Sequence, residues 1–261
     1  MKRIALLLLV CFSLTAVSAP KSNYSLIKTK AERFYKYEDW RSALAMYELM
    51  LAEKAVDADT YARGIVLSGI VEEEAVQHSF LERAEKNLIP YDTLFAGVQK
   101  HSLNLSVPKV YTRFMLGIRK AKPWLERMVN IRLLDFFLFR NDADNIIAIS
   151  GDLLAATPDN IRFLDALGKG YVLKGQFDKS AECYRKILKA DPKNYNALIS
   201  LGNYYDSLPK IENDSVSEQH VLRALSCFRH AAEIRSTPYV EQRIKSLNDR
   251  LNGIGSASQS K

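Results

Sequence analysis

Glycine and proline are scarce, 11 and 8 residues in a chain of 261, about 7% together where about 12% is usual. Tight turns are therefore few. A β-sandwich or barrel needs a turn signal about every 8–12 residues, so both are excluded and helices are favoured. Cysteine (3) and histidine (4) are scarcer still. No Cys-x-x-Cys or His-x-x-x-His pair occurs, which excludes a zinc framework and a cysteine-dense scaffold. His78, His101, His220 and His230 read as surface or locally packed residues. A phosphate loop and a Gly-x-Ser-x-Gly elbow are also missing, because Gly168-Lys169-Gly170 falls inside a helical pattern. No metal or cofactor is expected. Glu72-Glu73-Glu74 reads as charge favoured at a helix N-terminus.

Charge of one sign does not accumulate either. The chain has 37 basic and 30 acidic residues, and its densest basic cluster is Arg119-Lys120-Ala121-Lys122, a size that a helix end carries. No nucleic-acid partner is expected. Charged residues at 26% and hydrophobic residues at 48% exclude disorder along the whole chain.

The N-terminus reads as an export signal. Lys2 and Arg3 precede a mostly apolar run of fourteen residues, Ile4 to Val17. That is shorter than the ~20 residues of a spanning helix and matches a signal-peptide core. Ala16-Val17-Ser18-Ala19 supplies small residues for cleavage. Pro20 hinders cleavage after Ala19, so Ser18 is the expected last residue and 1–18 the expected signal. Lipidation at Cys11 is a weaker alternative, since Val10 before it is not small. The expected location is periplasmic or secreted, with no transmembrane segment after cleavage. The mature chain then carries net charge +5 and two cysteines, Cys183 and Cys227. They stand at equivalent places on neighbouring helices, which pack 8–10 Å apart. A disulfide needs Cα atoms about 4.4–6.8 Å apart, so both thiols are expected free.

A repeat organises the rest. Thr157-Pro158-Asp159-Asn160 recurs as Asp191-Pro192-Lys193-Asn194, and Leu164, Leu167, Gly168 and Tyr171 recur as Leu198, Leu201, Gly202 and Tyr205, all at an offset of 34. Their i, i+3, i+4, i+7 spacing is one face of a helix. Gly168 and Gly202 sit on that face, where a missing side chain lets a second helix approach. Gly175 can end the first helix. The second runs from Phe177 to Ala190 with Ser180, Tyr184 and Ile187 inward, and Pro192 opens the next unit.

These residues resemble the tetratricopeptide repeat, a helix–turn–helix unit of 34 residues, in a protein of exported bacterial type. Unit 161–194 carries nearly the whole pattern: Leu164, Leu167, Gly168, Tyr171, Gly175, Phe177, Ser180, Tyr184 and Pro192. Ile187 is larger than the family's usual alanine. Unit 195–236 resumes the second-helix pattern at Ala224, Phe228 and Ala231, ten residues late, which predicts an insertion near 207–217. Unit 127–160 is degenerate, and 19–126 forms a partly degenerate N-terminal region. Within it, Tyr91–Leu103 and Pro108–Ala121 are helical by pattern but miss the consensus. A cap helix is expected over Tyr239–Leu251, and 253–261 as a disordered tail. The fold class is all-α, an α-α superhelix of about six helix pairs and a cap helix.

The resemblance implies a non-catalytic scaffold that binds a protein or peptide partner in a concave groove lined by the first helix of each pair. The groove positions it implies are Arg162, Asp165, Lys169 and Val172, then Asn196, Ile199, Asn203 and Asp206, then Met128, Ile131, Asp135 and Leu138. Lys169 and Asn203 stand without the other members of the family's clamp for a chain-terminal carboxylate, so an internal segment or folded partner is expected. Helix 127–139 is apolar nearly all round, and is expected to be covered by 91–121 or else to expose a partner-binding patch. The alternative is a cell-envelope enzyme, or an enzyme's accessory factor, with a site in 88–126, a stretch that offers Asp92, His101 and Glu126 without motif spacing and would need a convergent acid/base pair. Asp92-Thr93-Leu94, Asp206-Ser207-Leu208 and Asp214-Ser215-Val216 resemble an O-glycosylation signal, with Ser215 as the candidate in the expected loop.

Overall fold

The structure, a computed structural model, describes residues 23–53, 57–208 and 215–258. The expected signal 1–18, most of the insertion's turn and the last three residues lie outside the described residues. The described chain is all-α and divides into two compact units between Phe114 and Met115. Both units are built from antiparallel helix hairpins.

The first unit contains α1 (Tyr24–Lys36), α2 (Trp40–Glu53), α3 (Ala58–Ile70), α4 (Glu74–Lys86), α5 (Tyr91–Asn104) and the start of α6 (Pro108–Ala121). Helix α1 packs on α2, and α3 packs on α2, α4 and α5. Asp57 caps α3 by accepting from Thr60 N at 2.8 Å, and Asp39 accepts from Ser42 N at the start of α2. The inward places of α2, Ala43, Tyr47 and Met50, are buried, as are Phe80, Leu81 and Ala84 on α4. Gly64 explains how closely α3 and α4 approach. A Cβ there would lie 2.2 Å from the Phe80 ring.

The second unit contains the rest of α6, a 3-10 turn (Pro123–Leu125), α7 (Glu126–Arg140), α8 (Ala143–Ala156), α9 (Ile161–Leu173), α10 (Phe177–Ala190), α11 (Tyr195–Ser207), α12 (Ser215–Ile234) and α13 (Pro238–Ser258). From α7 onward each helix packs on the next. Asp142, Asn160 and Asn194 cap α8, α9 and α11 through their side chains. Tyr184 closes on Gly168 and Phe228 on Gly202, each 3.0 Å from where a Cβ would stand. Cys183 and Cys227 are buried free thiols, and burial pushes both up to about 11.

One feature runs through both units. In five hairpins the turn between the two helices holds a left-handed residue: Glu38, Glu72, Ser106, Asn141 and Gly175, at φ 59°, 63°, 57°, 53° and 70°. At each, backbone N–H groups cap the first helix, as when Gly175 N donates to Val172 O and Gln176 N to Tyr171 O. These residues recur at intervals of 34 or 35. The pair α5–α6, which misses the consensus, therefore keeps the repeat's phase. Its second helix buries Tyr111, Met115 and Ile118 at the places of Ser180, Tyr184 and Ile187.

Two expectations are corrected. The insertion is not all loop: compared with unit 161–194, six of its ten residues extend α12 at its start. Ser215 is thus the first residue of α12 rather than part of a loop, and Ser217 is buried. The tail from 253 is not disordered through its described part, because α13 continues to Ser258. Extending a formed helix needs no new nucleus.

The apolar helix α7 is mainly buried. Val129, Leu133, Leu134, Phe136 and Phe137 are enclosed, whereas Phe139 stays 72% exposed. On this helix Asn130 accepts from Arg119 Nη1 at 3.0 Å, so the end of α6 reaches α7.

Candidate partner-binding groove

Short turns make successive helices antiparallel, so the first helices α7, α9 and α11 run parallel along one face. Between them opens a pocket of about 500 Å³, within the usual size range of ligand sites. Leu138 of α7 and Val172 and Leu173 of α9 supply aliphatic wall. Phe177, at the start of α10, adds an aromatic face. Val172, Leu173 and Phe177 are 44%, 46% and 52% exposed, unusually open for such residues. The polar lining comes from Lys169, Asn203 and Asn141 with the hydroxyls of Ser180, Ser200, Ser207, Tyr184 and Tyr204.

Most of those polar groups already have partners. Lys169 Nζ pairs with Asp165 one helical turn earlier at 2.7 Å. Tyr204 donates to Asp178 Oδ1 at 2.6 Å, and Ser207 to Tyr204 O at 2.7 Å. Burial raises the Tyr184 phenol, against its hydrogen bonds with Ser200 and Ser180. Tyr239 of α13 donates to Asn203 Oδ1 at 2.6 Å, which fixes the amide's orientation and leaves its N–H₂ for other contacts.

Of the expected groove positions, Leu138, Lys169, Val172 and Asn203 line this pocket. The others do not. Arg162 reaches Asp135 of α7 at 2.5 Å, and both remain exposed. Asp165 serves Lys169. Asn196 is exposed at the far end of α11, and Ile199 packs against the α12–α13 core. Met128 and Ile131 are half-buried on α7. Asp206 departs most from expectation: its carboxylate is clasped by Arg243 and Arg250 of α13 and its side chain is only 9% exposed. It holds the cap helix and offers nothing to a ligand.

Leu173, Phe177 and Tyr204 also line the pocket and are not among the expected groove positions. Phe177 belongs to the repeat pattern, and as the residue starting the second helix it faces the end of the groove. Leu173 and Phe177, bulky apolar residues flanking Gly175, are the signal the sequence carries.

Asp92 and His101 of the enzymatic alternative do not converge. Asp92 and His101 lie at opposite ends of α5, about 13 Å apart along its axis, and Glu126 opens α7 in the other unit. His101 is instead a core residue, 3% exposed, with Nε2 2.7 Å from Asp59 Oδ1. Arg63 binds the other Asp59 oxygen at 2.9 Å and reaches Glu32 at 3.1 Å and the Tyr47 hydroxyl at 3.2 Å. Burial lowers the His101 imidazole below its ordinary range, although Asp59 opposes the shift. Burial works against the Asp59 carboxylate, but His101, Arg63 and Lys100 outweigh it and hold the carboxyl low. Burial also pushes the Tyr47 phenol up to about 12. The cluster ties α3, α1, α2 and α5 together. Among the described residues no three metal-binding side chains come together, and no helix is long and apolar enough to cross a membrane.

No family model matches the chain. A 67-residue stretch, 26% of the chain, is 37% identical to protein bimA of Emericella nidulans, where it covers 7% of that protein's length. Among solved structures, the chain is similar to MamA (41–end) from Desulfovibrio magneticus RS-1 at 14% identity and TM-score 0.39, covering 84% of this chain and 100% of that one. It is also similar to the C-terminal part of a TPR repeat-containing protein from Cytophaga hutchinsonii, at 10% identity and TM-score 0.44 over 87% and 95% of the two chains. YrrB, described as a TPR protein with an unusual peptide-binding site, gives 13% identity and TM-score 0.32 over 87% and 94%.

Proposed function

We propose that the chain is a non-catalytic scaffold whose second unit binds a protein or peptide partner in the pocket between α7, α9 and α11. The observation that carries this reading is the open apolar wall of Val172, Leu173 and Phe177 beside Asn203. Three bulky apolar residues about half exposed around one concavity mark an interaction site. A non-catalytic role is supported by the use of His101 and Asp59 as a packed crosslink between helices. The first eighteen residues act as an export signal in this reading, supported by Lys2-Arg3 and the apolar run that follows. It places the mature chain in the periplasm or outside the cell.

The test is capture from the native cell envelope with the full chain, comparing wild type with Lys169→Glu combined with Val172→Asp. Both positions are exposed, so the fold is expected to persist. Specific partners should fall at least several-fold in yield. Unchanged capture would move the site to another face. The export reading is tested by the N-terminal residue of the mature protein, expected to be Ala19.

A further inference from the structure

The charge and hydrogen-bonding state of the pocket restrict what it takes, given that it is the binding site. Among the described residues Lys169 is its only charged lining residue, and Asp165 already neutralises it at 2.7 Å. A carboxylate entering the pocket would lose hydration and meet no unmatched cation among the described residues. The apolar wall would be wasted on it. Asn203 adds direction. Because Tyr239 donates to its Oδ1, the Asn203 amide presents donors, and the ligand group that meets it must be an acceptor. A main-chain carbonyl is a neutral acceptor that every peptide segment carries.

We propose that the pocket takes an internal, uncharged stretch of polypeptide, with bulky apolar side chains against Leu138, Val172, Leu173 and Phe177 and a main-chain carbonyl accepting from Asn203 Nδ2. Tyr239 of the cap helix is a positioning residue, which keeps the amide turned toward the ligand. The chain's last helix thereby takes part in recognition without touching the partner.

The experiment uses the full mature chain and three probes: Ac-Ser-Leu-Phe-Ser-NH2, the same peptide with a free C-terminal carboxylate, and Ac-Ser-Asp-Glu-Ser-NH2. Methyl signals of Leu138, Val172 and Leu173 are followed by NMR. The blocked apolar peptide should shift them in a saturable way, with the free-carboxylate form weaker and the acidic peptide without effect. Val172→Asp should abolish the shifts. Tyr239→Phe should weaken binding about three- to tenfold while the thermal midpoint stays near wild type. Equal or tighter binding of the acidic or free-carboxylate peptide would overturn the proposed chemistry and leave the groove reading intact. No pocket shift with any peptide would overturn the proposal, and the capture experiment then decides the groove reading separately. Tyr239→Phe binding at full strength would remove the positioning role.

Discussion

At the scale of single residues, left-handed positions and close approaches set the register. An L residue in that conformation costs about 1 kcal/mol, and glycine escapes most of it. Leu88 is such a residue, at φ 56° and 87% exposed, so it strains the backbone and buries little. Leu88→Gly should raise the thermal midpoint of the first unit by a few degrees; calorimetry checks this. Gly64→Ala should act in the opposite sense, since the new methyl collides with the Phe80 ring at 2.2 Å. A loss of about 2–3 kcal/mol in denaturant unfolding is expected. His101 adds a pH dependence. Its folded-state pKa is lowered by burial, so as pH falls below about 6.5 the unfolded chain takes up the proton first and stability declines. The Asp59 carboxyl, also held low, adds a second loss below about pH 3.9. His101→Gln should flatten the thermal midpoint between pH 7 and 5 relative to wild type. An equal fall in both proteins would place the titration elsewhere.

At the scale of helices and turns, legibility in the sequence follows from chemistry. Residues 161–205 are readable because a glycine under an aromatic ring admits few substitutes, and the pattern repeats at 34. The pair α5–α6 is not, because Gln99 replaces that glycine and Tyr111, Met115 and Ile118 fill the second helix with larger groups. What persists there is the left-handed turn, which is built from Glu, Ser, Asn or Gly and so leaves no consensus. The same register explains the insertion. The left-handed residue after Gly175 falls due at position 209, where the chain has Pro209. Proline is locked near φ −65° and cannot make that turn, so extra chain is required. Deleting residues 211–220 restores the 34-residue spacing but should destabilise the protein. The same deletion with Pro209→Gly should recover a single cooperative transition near the wild-type midpoint. Recovery without the glycine would show that the turn residue does not matter.

At the scale of the whole molecule, the groove was only partly legible. The family resemblance locates its face, and Lys169, Val172, Asn203 and Leu138 meet there, but Asp206 was lost to the cap helix. Nothing in the spacing of Asp206 signals that Arg243 and Arg250 of a later helix will enclose it. The central claim is that this face, and not the outer one, meets the partner. It is tested most directly by site-specific photocrosslinking in the native cell, with p-benzoylphenylalanine at Val172 on the pocket wall and, separately, at Glu182 on the exposed side of α10. The account predicts discrete crosslinked products from position 172 and none from 182. Products from 182 with silence at 172 would contradict it.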